Sequence, residues 1–502
     1  MTTGDVVWTW SAGDALLARH WKGALALLFA LGLMVGVSNA LSPWPLETHE
    51  VFVAQTSREM LEAGDWVLPT FNAEPRLNKP PLAYWLVMGL ERAWPDAPGI
   101  EPWKARLPSG IAGALLVVMT ALIGRAAYGS ALVGFVGAML VCGSSGLMRY
   151  SNNARPEMLY AACCTLVILG LLRAWQSPDR SRAQSMWALT AWGAAGLGVL
   201  AKGPHLPMVI VAGFVLHAVL SGSWRRLWWT LRAHWGVVAM LAIGVPWVVL
   251  VWQRAPQAGG VWFDQISDAP DRGELSWLEL FAPYYLWGLP QMFLPWAALL
   301  PFGLASVFVG KSGVTQRGRP LFWVLIAVVV ALSVTTHRRG YYTLPVLSIL
   351  GALCAAGTLD AIARLREPWC RRWGRVFVGA AFAGVFALAW VGTRRWAAGE
   401  GGIAKDAFAR AVAARVGDDA VYLWGERAGL VTYRVGRPTP ELATAEEVLS
   451  RASPRGAWLV TRPDRLKELE AMGGVEPSGI AQDTGEAREA RVLVRLVPRV
   501  TP

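Results

Sequence analysis

Residues 107–124 read LPSGIAGALLVVMTALIG, eighteen positions without an ionisable side chain. A helix rises about 1.5 Å per residue, so a run of this length reaches across most of the roughly 30 Å hydrocarbon core of a bilayer. Comparable runs lie near 23–41, 131–148, 159–173, 186–200, 206–220, 234–252, 284–309, 320–335, 342–359 and 376–393. Together they predict a polytopic α-helical membrane protein of about eleven transmembrane helices. The 502 residues are 54% hydrophobic and only 16% charged, against about 25% charged in a soluble domain, so the apolar mass has no refuge in water. The first run follows a polar start and lacks a small-residue cleavage site, so it is expected to remain as a span.

Tryptophans cluster where the runs end, as at Trp21, Trp44, Trp103, Trp175, Trp252 and Trp373, the pattern of an interfacial aromatic belt. Cys142, Cys163, Cys164 and Cys354 fall inside runs and Cys370 in a basic loop, a spacing that fits neither a disulfide framework nor a zinc site. The net charge of +12 follows topology and is not gathered on one soluble patch, which argues against nucleic acid as a partner.

Alternate loops carry the arginines: Arg125; Arg173, Arg180 and Arg182; Arg225, Arg226 and Arg232; Lys311, Arg317 and Arg319; then Arg364 to Arg375. By the positive-inside rule these loops are cytoplasmic, together with the N-terminus and its Arg19 and Lys22. The remaining segments, 42–106, 149–158, 202–207, 253–283, 337–340 and 394–502, are then extracytoplasmic, as in a bacterial inner-membrane protein. Two short members of that set are basic on the wrong side, and an anionic ligand is the simplest reason.

Inside the first external loop, 48–63 has helical character, with Glu50, Ala54 and Arg58 on one face and Gly64 as its stop. Residues 80–94 open with two prolines and read as an amphipathic helix at the membrane interface. Residues 1–393, first loop included, form the predicted membrane domain. The tail 394–502 has strand-like runs at Ala420–Trp424 and Ala457–Thr461 between charged helical stretches, and reads as a small soluble α/β domain.

Several motifs lead nowhere. Gly310-Lys311-Ser312 resembles the end of a phosphate loop, but Ala305 stands where the earlier glycine belongs. Gly193, Gly196 and Gly198 lie within a span, where helix packing accounts for them. With neither an Asp-x-Asp motif nor a soluble nucleotide-binding unit, a lipid-linked substrate suits the chain better than a nucleotide sugar.

The external motifs run in order: His49-Glu50, Arg58-Glu59-Met60-Leu61 and Gly64-Asp65-Trp66; Asn78-Lys79-Pro80-Pro81 with Tyr84-Trp85; Ala105-Arg106-Leu107-Pro108-Ser109; Ala154-Arg155-Pro156-Glu157-Met158; Lys202-Gly203-Pro204; and His337-Arg338-Arg339 with Tyr341, Tyr342 and Pro345. This set resembles the GT-C glycosyltransferases, in particular the branch of lipid A aminoarabinose transferases and protein O-mannosyltransferases. The resemblance implies a polyprenyl-phosphate sugar donor and inverting transfer to an extracytoplasmic lipid, glycan or protein. It also implies a catalytic acidic residue in the first loop and basic residues on the lipid phosphate. Two departures stand out: the family's usual Asp-Glu is His49-Glu50 here, and the usual Glu before the Lys-Pro pair is Asn78. Glu157 replaces an aspartate.

Expelling a phosphate dianion from a sugar calls for cations where the charge develops. Lys79, Arg58, Arg155, Lys202, Arg338 and Arg339 are the candidates, with Tyr342 as a hydrogen-bond donor to phosphate or sugar. An acceptor hydroxyl needs a base, and Glu50, Glu47, His49 or Glu157 can serve. Any one of these cations can instead be an interfacial snorkelling charge, and any one carboxylate a partner for arginine. No metal cofactor is indicated, since neighbouring carboxylates alone do not define coordination. A polyprenyl-lipid transporter or flippase needs similar cations, but usually shows paired interrupted helices in two related halves, and no internal repeat is visible. A lipid-binding relative without turnover is the third reading, prompted by His49.

Overall fold

The computed structural model describes residues 11–41, 44–95, 100–231, 233–267, 284–308, 313–334, 338–364, the single positions 376, 379 and 383, and 400–427, 429–453, 456–472, 475–482 and 490–497. The predicted run 376–393, Cys370, the triplet 310–312 and His337 fall largely or wholly outside these residues. In chain order the helices begin with α1 (Ser11–Arg19), α2 (Trp21–Gly36) and α3 (Thr48–Glu62). The short strands β1 (Thr70–Phe71) and β2 (Glu74–Pro75) and helix α4 (Leu82–Ala93) follow. Then come α5 (Pro102–Tyr128), α6 (Ala131–Cys142), α7 (Ser145–Ser151), α8 (Pro156–Gln176), α9 (Arg182–Ala201) and α10 (His205–Leu220). The short α11 (Trp224–Leu231) leads to α12 (Ala233–Arg254), α13 (Ala258–Ser267), α14 (Tyr284–Met292), α15 (Leu300–Ala305), α16 (Gly313–Ser333) and α17 (Leu347–Ala363).

The protein is a polytopic helical membrane protein. Four of the described helical segments are long and apolar enough to cross a bilayer: α5, α8, most of α12, and the 3-10 turn Gly340–Val346 continued by α17. Counting each bent pair as one span raises this to seven, below the predicted eleven. The pairs explain part of the difference. The run 131–148 is apolar throughout but turns by 60° between α6 and α7, where Ser144 caps the new helix through its hydroxyl and Leu147 N–H at 3.4 Å. The run 284–309 turns by 114° between α14 and the segment ending in α15. Hydropathy registers the length of such runs and is blind to the corner.

Two compact units divide the chain: 1–41, 77–83 and 106–393, and 42–76, 84–105 and 394–502. This division groups most of the first loop with the tail, whereas the sequence reading drew its boundary at 393. In the first unit, helix crossings are set by glycine. A Cβ on Gly36 would stand 2.8 Å from the carbonyl oxygen of Gly110, and one on Gly137 2.9 Å from that of Gly351. α2 therefore seats on α5, and α6 on α17, backbone against backbone.

In the second unit the tail forms a mixed five-stranded sheet of order β4-β3-β5-β7-β6. Its strands are β3 (Ala420–Trp424), β4 (Glu441–Leu442), β5 (Ala457–Thr461), β6 (Val475–Gln482) and β7 (Arg491–Leu496). β3 pairs parallel with β4 and β5, and β5 pairs antiparallel with β7. The two apolar runs picked out in the sequence are adjacent in the sheet. α18 (Glu400–Val416) packs Phe408, Val412 and Val416 with Val421, Leu423, Trp458 and Val460 of the strands.

Candidate functional site

Proline places the first charged residue. Pro156 occupies the first position of α8, where its fixed φ suits a helix start, and it holds Arg155 in an extended conformation at φ −137°. Glu157 then falls in the first turn, where the helix dipole favours a carboxylate. The loop before it is clasped by Asn152, whose Oδ1 accepts from Ser38 Oγ and Asn39 N–H at 2.9 Å each and whose amide donates to Val35 O at 2.7 Å. Ser109 of α5 donates to the carbonyl of Arg155 at 3.0 Å, so the Arg-Leu-Pro-Ser motif helps fix the Arg-Pro-Glu motif.

α9 runs back along α8 and ends at Lys202, where a cation meets the negative pole of the helix. Gly203 follows with φ +125°, a conformation that a side chain would strain, and Pro204 leads into α10. The antiparallel pair brings Lys202 Nζ to 3.4 Å from Glu157 Oε1, with side chains only 12% and 10% exposed. Burial pushes the Lys202 ammonium below its ordinary pKa, while Glu157 pulls it back up. Tyr341 and Tyr342, in the 3-10 turn before α17, lie with their ring centroids 5.1 and 4.6 Å from Lys202 Nζ. Such faces stabilise a desolvated cation. Across the pocket, the Tyr160 and His205 rings stand 5.2 Å apart, and Tyr160 Oη accepts from Leu206 N–H at 3.0 Å.

Further charges converge here. Lys202, Arg155 and Lys79 all act electrostatically on Glu157, and Lys79 also acts on Lys202 and His205. Arg339 acts on both tyrosines. Glu157 Oε2 and Arg155 Nε are buried without a hydrogen-bond partner among the described residues. Leaving such groups unsatisfied costs free energy, so a polar ligand here has a ready gain. The pocket itself is lined by Glu157, Tyr160, Lys202, His205, Tyr341 and Tyr342, and the charges of Lys79, Arg155 and Arg339, from well-separated motifs, act on it. Arg338 donates to Ser333 O at 3.1 Å and acts electrostatically on Tyr285.

The first-loop candidates belong to the second unit. Glu50 is fully buried, and its Oε2 accepts the Glu47 N–H at 2.9 Å in a capping box at the start of α3, while Glu47 and His49 are exposed. The His49 ring lies 6.2 Å from Phe52. Arg58 is turned into its own unit: it donates to Tyr433 O at 3.1 Å, meets Gln55 and Glu62, and lies over the Tyr433 ring. Its neighbour Glu59 accepts the N–H groups of Asn72 and Ala73, both at positive φ in the β1–β2 turn. Arg58→Ala is expected to destabilise this unit by about 1–3 kcal/mol, because the carbonyls it satisfies lose a charged hydrogen bond. Limited proteolysis checks this: faster cleavage around 430–440 is expected, and an unchanged pattern would dismiss the anchoring role.

Tyr160 and His205 escaped the sequence reading. The one available signal was His205 directly after Lys-Gly-Pro, at the head of an apolar run. Among the described residues no group of three His, Cys, Asp or Glu side chains is placed to hold a metal ion.

The fold defines a class, the multi-span helical membrane proteins, and it resembles that of solved members of this class. The ArnT of Cupriavidus metallidurans, solved bound to undecaprenyl phosphate, superposes with a TM-score of 0.73 at 21% identity over 94% of this chain and 98% of that one. The oligosaccharyltransferase of Archaeoglobus fulgidus gives 0.57 at 14% identity over 84% and 64%. In sequence, an undecaprenyl phosphate-alpha-4-amino-4-deoxy-L-arabinose arabinosyl transferase of Pseudomonas fluorescens is 27% identical, over 70% of this chain and 59% of its own length. Its counterpart from Pseudomonas aeruginosa is 26% identical, over 75% and 66%. The chain therefore spans about three-fifths to two-thirds of these curated relatives. The profile of the dolichyl-phosphate-mannose-protein mannosyltransferase family matches residues 14–259, just under half of the chain.

Proposed function

We propose that this protein is a membrane glycosyltransferase that takes its sugar from a polyprenyl-phosphate donor and passes it to a lipid, glycan or protein on the extracytoplasmic face. The observation that carries the reading is the buried Glu157–Lys202 pair at one end of the membrane helices, on whose carboxylate Arg155 and Lys79 also act electrostatically. Three cations against one anion suit a ligand that arrives negative and leaves more so. Relatives named for undecaprenyl-phosphate aminoarabinose support the donor class. In the orientation that fits, the N-terminus is cytoplasmic and residues 394–502 are extracytoplasmic.

In the reaction, the acceptor oxygen attacks the anomeric carbon as the bond from that carbon to the phosphate oxygen breaks. The polyprenyl phosphate leaves with the electron pair, and a carboxylate takes the acceptor proton. Lys79, Arg155, Lys202 and Arg339 stabilise the departing phosphate, and Tyr342 donates to phosphate or sugar. The decisive experiment incubates purified protein with undecaprenyl-phosphate-linked sugars and extracts of envelope acceptors. Transfer of sugar upholds the reading; lipid translocation without transfer identifies a flippase, and binding without either a non-catalytic relative.

Glu50 is the proposed base of the first loop. Its burial and cap bond give it a fixed position, whereas Glu47 and His49 are exposed. Glu50→Gln is expected to lower transfer by two orders of magnitude or more, on the order of what general-base loss costs. Glu47→Gln and His49→Ala should keep most activity. Near-normal transfer by Glu50→Gln with loss in either of the others would move the base there.

A further inference from the structure

At the end of α8 and α9 remote from the Glu157 pocket lies a second set of charges, which enters the reading above only as a marker of the cytoplasmic side. From Glu157 to Arg173 is sixteen residues of α8, about 24 Å at helical rise. Here Arg173 ends α8, Arg180 stands in the turn, Arg182 opens α9, and Arg225 and Arg226 lie on α11. All five are exposed, and among the described residues none pairs with a carboxylate. Asp179 is the one acid in these segments. Charge of one sign, left uncompensated within the protein, fits an anionic partner.

The short helix α11 reads as an interfacial element. Leu227 and Thr230 are buried and fasten it to the protein, Leu227 through a cluster with Trp175 and Ala218. Trp224 and Trp228, one turn apart, are 56% and 62% exposed. Between them and the buried edge sit Arg225 and Arg226. A helix with tryptophan on one side and arginine beside it lies in the headgroup plane, rings toward the acyl boundary.

Three of the five guanidiniums are also restrained by aromatic rings. Arg226 lies 5.8 Å over Trp175, Arg180 4.4 Å over Trp229 and Arg173 5.5 Å over Trp187. Arg180 adopts φ +62°, unusual for a residue with a side chain, with its N–H bound to Gln184 Oε1 at 2.8 Å. Stacking on rings restrains these side chains while leaving guanidinium edges to meet phosphate.

We propose that α11 and the α8–α9 turn form a binding site for anionic phospholipid headgroups, in the leaflet opposite the Glu157 pocket. The arginines take the phosphodiester, and Trp224 and Trp228 seat the glycerol and upper acyl region. The site does not depend on the catalytic reading.

Native mass spectrometry of the full chain, with phosphatidylglycerol and phosphatidylcholine of the same acyl chains in competition, tests it. Wild type is expected to retain phosphatidylglycerol preferentially. Arg225→Gln/Arg226→Gln should lower that preference roughly five-fold per arginine, about 25-fold together. Arg225→Lys/Arg226→Lys should keep most of it, which separates charge from misfolding, and Arg451→Gln in the tail should leave it intact. No preference in wild type, a preference that survives the double glutamine variant, or equal loss in the control overturns the proposal.

Discussion

Lys79→Ala is expected to cut the turnover of sugar transfer by about 10²–10³-fold at saturating lipid donor, the loss typical of removing one group that stabilises charge in a transition state. The reason lies in timing. The phosphate of a lipid-linked sugar carries one charge while esterified and a second as the sugar departs. A cation beside it is worth most at that moment, so the defect belongs in turnover more than in apparent affinity. The charge of Lys79 acts on Glu157, Lys202 and His205 alike, which motivates its assignment to the phosphate. Lys79→Arg is not expected to restore the rate fully, because a planar guanidinium is larger than an ammonium and presents its donors in a fixed fork. Single-turnover measurements with excess donor decide the matter, and an unchanged rate constant would remove Lys79 from the site.

The second large effect concerns the ion pair. Glu157→Met alone leaves the Lys202 ammonium in a pocket with little water, and Lys202→Met alone strands the carboxylate; each is expected to cost about 3–5 kcal/mol of stability. The double variant Glu157→Met/Lys202→Met should recover most of that loss, since two apolar side chains need no partner, yet should remain inactive. Thermal unfolding in detergent, read beside transfer, closes the cycle. If the double variant is as unstable as the sum of the singles, the two residues are not coupled and the pair contributes nothing as a pair.

Much of the architecture was legible because bilayers impose length. The stretch 107–124 and the run at 159–173 needed only counting, and the strands at Ala420–Trp424 and Ala457–Thr461 announced themselves as short apolar runs between charged helices. The corners at Ser144 and in 284–309 were not legible, since a bend inside an apolar run leaves the composition unchanged. The site divides the same way. Motif order and misplaced charge single out Lys79, Arg155, Glu157 and Lys202 as candidates, of which Glu157 and Lys202 lie 3.4 Å apart. Arg58 shows the limit of helical-face reasoning: spacing put it beside Glu50, but the partners that occupy it, Thr432 and Tyr433, lie far along the chain. Tyr160 was hidden because neither charge nor motif marks it, and His205 was marked only by its place after Lys-Gly-Pro; the packing of α8 against α10 brings their rings together.

The seam between Gly137 and Gly351 bears on how the protein is made. α6 leaves the ribosome early and α17 late, so the slot on α6 waits open while the intervening helices are inserted. Tyr341 and Tyr342 lie immediately upstream of α17, and docking that helix against Gly137 draws them over Lys202. The seam and the aromatic wall of the pocket are therefore positioned by the same helix. A chain without α17 keeps the Glu157–Lys202 pair but lacks the helix that holds the aromatic wall over it.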